Sequence, residues 1–229
     1  MKITITPDVF QKFNKDFLIV FISIKGMDNS DKAKESKHLL KEIQQLVKLT
    51  FNKDTVENHS LIQPWLAARQ EYGSKARHYQ TSTEKLIRKV LRNQSIVSGN
   101  TLENLVRYLS LKHIMPLSVD DTSKIHGDLT ITVAKKKERI SALQSLHEGD
   151  VYYRDNSIII GKKLDSWKNR RTMVDAKTTD ALIHIESLPP ITSKKLHQVT
   201  RELQSLVKVF CGGTSKVFLL DKNKKMVQI

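Results

Sequence analysis

Hydrophobic positions recur along this chain with two periods, and the switches between them outline an α+β protein. Residues 16–26, DFLIVFISIKG, are a β-rich apolar run closed by glycine, which predicts a buried strand. The next stretch, DNSDKAKESKHLLKEIQQLVKLT, opens on cap-forming residues and then sets Leu39, Leu40, Ile43, Leu46 and Val47 at helical spacing. From Thr81, TSTEKLIRKVLRNQ begins with a Thr-x-x-Glu capping box and continues as a helix. Its Leu86, Ile87, Val90 and Leu91 fall on one side, and Lys85, Arg88, Lys89 and Arg92 on the other. NTLENLVRYLSLKH, residues 100–113, is another capped helix, closed before Pro116. Three runs poor in helical period follow, GDLTITVA, DVYYRDNSIIIGKK and DALIHIESLPP, and read as strands. A last helix buries Leu196, Val199, Leu203, Leu206 and Val207, stops at Gly212 and Gly213, and leads into the strand SKVFLLD. No Pro-, Gly- or Ser-rich linker and no internal repeat divides the chain, so one domain over residues 1–229 is expected.

Charge changes this picture. The 229 residues carry 39 Lys and Arg against 24 Asp and Glu, a formal net charge of +15. A polyanionic partner relieves that self-repulsion, which makes nucleic acid the leading partner class. Aromatic residues are 6% of the chain, few for a protein that splays out bases and stacks them, so contacts to the backbone and shape of a folded RNA fit better. Two cationic groups stand out. One is the helix stripe Lys85, Arg88, Lys89 and Arg92, extended upstream by Lys75, Arg77 and His78. The other lies between two strands and comprises Lys162, Lys163, Lys168, Arg170 and Arg171, with Trp167 among them. A solvated helix face is the alternative for the first, and ordinary packing is the alternative for Trp167.

The single cysteine, Cys211, permits no internal disulfide and suits a reducing compartment, and the apolar run from Phe17 is too short to cross a bilayer. A cytoplasmic protein with no membrane segment is expected. No metal-ligand spacing and no glycine-rich phosphate loop is present, so neither a metal nor another cofactor is expected. The sequence leaves the oligomeric state open.

Four collinear stretches, PWLAARQEYGSKARHYQTSTEKLIRKVL, SLKHIMPLSVDDTSKIHGDLTITVA, DSWKNRRTMVDAKTTDALIHIESLPPI and LVKVFCGGTSKVFLLD, resemble the free-standing B3/B4-domain proteins. These are relatives of the editing domain in the β subunit of bacterial phenylalanyl-tRNA synthetase. The resemblance implies a three-layer α+β fold, a β-sandwich of unusual topology with helices packed on it. It also implies a tRNA or aminoacyl-tRNA partner, with either hydrolysis of mischarged tRNA in trans or binding without chemistry. Aminoacylation by this chain alone is not expected.

The family's functional residues carry over unevenly. A histidine that follows a proline in the synthetase domain falls at Ser118 here, and its Thr-Asn pair falls near Val106 and Arg107. The glutamate that reads the tyrosine hydroxyl corresponds to Glu186 or, by strict spacing, to His184. These two share one face of a strand while Ile183 and Ile185 share the other. Glu186, His184 and Ser118 are therefore the pocket candidates, and no catalytic residue is assigned. A surface pairing of Glu186 with Arg170 or Arg171 is the competing expectation.

Overall fold

The computed structural model describes residues 1–70, 80–135, 138 and 146–229, and its architecture follows from how the apolar faces pair. Strands β1 (Lys2–Ile5), β4 (Leu129–Val133), β5 (Val151–Arg154), β6 (Ile159–Lys162), β7 (Trp167–Lys168) and β10 (Met226–Gln228) form a six-stranded sheet in the order β10-β1-β4-β5-β6-β7. Strands β2 (Leu18–Lys25), β3 (Leu117–Asp121), β8 (Ala181–Ser187) and β9 (Thr214–Leu220) form a four-stranded sheet in the order β3-β8-β2-β9. Alternate residues of the two sheets interdigitate between them, Ile3, Ile5, Ile131 and Tyr153 from one against Ile19, Phe21 and Leu182 from the other.

The opposite face of the four-stranded sheet, with Val20, Ile22, Ile183 and Ile185, is covered by α4 (Thr101–His113) and α5 (Ser193–Cys211). Helices α1 (Ala33–Thr50) and α3 (Ser82–Leu91) pack in turn on α4 through Leu40, Ile43, Ile87 and Leu111. A short α2 (Gln63–Gln70) seals one end of the sandwich with Trp65. The result is an α+β arrangement of sheet, sheet and helices.

Helix starts follow the sequence signals. The Thr81 hydroxyl accepts from the Glu84 N–H, and Asn100 Oδ1 accepts from the Glu103 N–H. Asn100 also donates to the Val174 carbonyl, so Asn100→Ala is expected to cost about 1–2 kcal/mol in denaturant unfolding. Two local expectations change, and strands at the chain ends are added to them. DVYYRDNSIIIGKK is a hairpin, β5 and β6, because the chain reverses at Asp155, whose carboxylate accepts from the N–H groups of Ser157 and Ile158. Leu46 is 57% exposed, since the buried stripe of α1 runs through Leu40, Ile43 and Val47, away from it. Both chain ends form strands, β1 pairing parallel with β4 and antiparallel with β10, through contacts far apart in sequence.

Candidate functional site

Strand β8 carries the pocket candidates into the interior. Leu182, His184 and Glu186 point between the sheets, as the period of two requires, and Ile183 and Ile185 point at the helices. Ser118 on β3 is the register partner of His184, so it lies on the same face. Ser118, His184, Asp120, Tyr153, Trp167 and Lys168 contribute to the wall of a pocket enclosing about 380 Å³ including its open mouth. It opens where β7, the edge of one sheet, meets β3, the edge of the other. The interior is narrow, with room for about one water molecule, and Glu186, next inward from His184 on β8, is not among the residues that line it.

Glu186 is fully buried and has no surface partner; Arg170 and Arg171 stand exposed in a separate turn. Its Oε1 lies 3.5 Å from His184 Nδ1. Burial raises the Glu186 carboxyl well above the ordinary range, and the backbone N–H of Asp165 tempers this without forming a hydrogen bond of good geometry. Burial also pushes His184 down to about 4. Burial thus favours the neutral form of both groups.

Tyr153, reaching across from β5, stacks its ring 5.0 Å from the His184 ring. Gly161 makes room for it, since a Cβ there would stand 2.9 Å from Tyr153 Cδ2. The Tyr153 hydroxyl, His184 Nδ1 and both Glu186 oxygens are buried and lack hydrogen-bond partners. Native interiors leave few such groups, so these atoms keep hydrogen-bonding capacity that their neighbours in the fold do not use.

The mouth is charged. Lys168 Nζ lies 3.1 Å from Asp120 Oδ1, joining the two sheet edges, and the Thr172 hydroxyl donates to the same oxygen at 2.6 Å. Trp167 is 39% exposed beside it, with Lys162 Nζ 4.5 Å above its ring. The loop between β6 and β7 is held in an uncommon shape, with Lys163 and Leu164 both at positive φ. Asp165 anchors it by accepting from the Ser82 N–H at the start of α3, and Lys85 donates to the Ser166 carbonyl. Lys163 is half-buried, and desolvation lowers its pKa.

The cationic candidates thus occupy different situations. Lys85 ties down the loop, and Arg88 is held by Glu84 at 2.9 Å and Glu57 at 2.6 Å. Lys89 and Arg92 are exposed. Lys75, Arg77 and His78 lie outside the described residues. Arg107 is bound to Glu103 and to the Ile96 carbonyl, and Val106 is buried in the helical layer, behind the sheet rather than in the pocket. Cys211 is buried at the end of α5, and burial pushes its thiol up to about 12.

Sequence reasoning missed Tyr153, Gly161, Asp120 and Asp165. The paired acids of SVDD, set in a strand, were the one local signal available. Among the described residues no cluster of three or more His, Cys, Asp and Glu side chains could hold a metal, and no helix is long and apolar enough to cross a membrane.

Residues 67–211 match a family model described as the B3/4 domain. No curated protein matches the chain. The matched span runs from within α2 to the end of α5 and includes every pocket residue named above.

Proposed function

Because the chain belongs to the B3/4 domain family, the domain of the phenylalanyl-tRNA synthetase β subunit, we propose that it binds tRNA and that its inter-sheet pocket, which must widen beyond its present space for about one water, receives the amino acid carried on the tRNA end. The observation that carries this reading is the group of buried, unpartnered polar atoms on Glu186, His184 and Tyr153. A protonated carboxyl both donates and accepts, so it suits a side-chain hydroxyl, and a site built around such a bond rejects the analogue lacking it by about 10⁴–10⁵. A bare side chain would leave these atoms unsatisfied and buried.

These groups supply recognition. Ester hydrolysis also needs an oriented water and donors for the oxyanion. Ser118 and His184 are neighbours across β3 and β8, with no hydrogen bond between them among the described residues. A binding module selective for the attached amino acid is the reading supported best. Editing in trans is the second reading, favoured by Ser118 and His184 standing side by side on the pocket face.

One experiment addresses both. Tyrosyl- and phenylalanyl-tRNA(Phe) are compared for binding and for release of labelled amino acid, with wild type and Glu186→Ala. Preference for the tyrosylated form by wild type, reduced at least about tenfold in the variant, supports the pocket reading. Equal binding of both forms by wild type removes it. Release of tyrosine above the spontaneous rate promotes the editing reading.

A further inference from the structure

The outward face of α5 carries a second cationic stripe, one that the residues chosen from sequence do not include. Lys194, Arg201 and Lys208 are seven residues apart, so at 100° per residue they fall within about 40° of one another. At 1.5 Å rise per residue they span about 21 Å along the axis. Leu196, Val199, Leu203 and Val207 form the buried face diametrically opposite. All three cations are exposed, as are His197, Gln198 and Ser205 between them. None of the three cations forms an ion pair with a described residue.

Most outward helix faces are simply solvated, and three features separate this one from that case. First, its charge is uncompensated. The single acid of α5, Glu202, is drawn to the α4 side by Lys112 at 2.6 Å and His113 at 2.9 Å, so nothing anionic on the helix offsets the stripe. Second, the surface is shallowly indented between its side chains. Two shallow depressions meet at Arg201, one along the first half of the helix and one between its second half and the start of β9, and no acidic side chain lines either. Third, the alternative stripe on α3 is partly spent, because Lys85 and Arg88 are engaged within the protein. A chain of net charge +15 has to display its excess elsewhere.

We propose that the α5 face is an RNA-backbone docking surface, on which Lys194, Arg201 and Lys208 track the phosphates of a structured RNA while Gln198 and Ser205 supply hydrogen bonds. This rests on the tRNA-binding reading above and names the surface that would serve it. Evenly spaced point charges with polar residues between them, and no exposed aromatic for bases, suit shape and phosphate contacts rather than sequence readout.

The test uses deacylated bulk tRNA and the full chain, with dissociation constants measured between about 50 and 200 mM salt. Lys194→Gln, Arg201→Gln and Lys208→Gln are combined in one variant, glutamine being a good helix former at exposed positions. Lys89→Gln with Arg92→Gln is the control variant. The expected result is weaker binding by the α5 variant, with a log–log salt slope shallower by about 2 to 3, and a melting temperature and circular dichroism unchanged from wild type. Wild-type affinity and slope in the α5 variant, with loss in the control, overturn the proposal and leave tRNA binding standing. No binding of tRNA by wild type overturns the tRNA-binding reading itself, and the α5 surface with it. An α5 variant that loses binding to phosphatidylserine vesicles but keeps tRNA binding also overturns the assignment of RNA as the partner.

Discussion

Glu186→Gln is expected to melt several degrees above wild type at pH 7–8, with the gain shrinking as the pH falls and vanishing near pH 4. The carboxyl is fully buried with no well-formed hydrogen bond, so its folded pKa stands well above the ordinary 4.5. A raised pKa means that the folded state holds the proton more tightly than the unfolded state. The associated stability is complete below 4.5 and is lost as pH climbs toward the folded value. For a chain of this size, each pH unit inside that window is worth about 3–6 °C of melting temperature.

His184 acts in the opposite sense. Its pKa falls from 6.5 to about 4, so the unfolded state binds its proton more readily, and stability from this group rises with pH across that interval. The two contributions oppose each other between about 4.5 and 6.5 in wild type, whereas the variant keeps only the rise. Thermal melts from pH 4 to 8 read this directly. A Glu186→Gln variant that melts below wild type at pH 8 would show the carboxylate to be ionised and held by partners, against the reading of the pocket as a neutral floor. A stability gain paired with lost preference for tyrosylated tRNA would mark Glu186 as a residue kept for recognition at a cost in stability.

Lys168→Ala is expected to lower stability by about 3 kcal/mol, or roughly 6–12 °C, and to leave the RNA contribution of α5 intact. Asp120 is 4% exposed and Lys168 is its ionic partner at 3.1 Å, with the Thr172 hydroxyl as the further support. Removing the lysine strands a carboxylate between the sheet edges. The effect sits at the low end for a buried pair, because the lysine side chain is 26% exposed and water can reach the gap. Lys168→Met combined with Asp120→Asn removes both charges and should recover most of the loss in urea unfolding. A wild-type melting temperature for Lys168→Ala would mean that the pair holds nothing together. The tRNA salt slope of the folded variant, measured at low temperature, separates this structural role from a phosphate contact.

Much of the fold was legible because it rests on local periodicity. The strand through residues 18–25, the helices from Ala33, Ser82, Thr101 and Ser193, and the shared face of His184 and Glu186 all follow from where apolar residues recur. The candidate site was legible by half. A period of two shows that His184 and Glu186 share a face, but it carries no information about what lies across from them. Tyr153 arrives from the second sheet, and Asp120 meets Lys168, which lies 48 positions further along the chain. The cationic stripes show the same division. On α3 and α5 the helical period separates charged from apolar faces equally well, yet Glu57 and the Ser166 carbonyl engage the first while the acid of the second is turned away.

The sequence by itself determined the α+β class, the family resemblance, the excess of positive charge, and the phase of every residue on β8, because composition and periodicity are properties of the chain alone. Only the tertiary structure decided that Glu186 is buried rather than paired at the surface, that Lys168 joins the sheet edges at the pocket mouth, and that uncompensated cations lie on α5. Burial, desolvation and ion pairing depend on which groups become neighbours through space, and those neighbours come from strands and helices far apart in the chain.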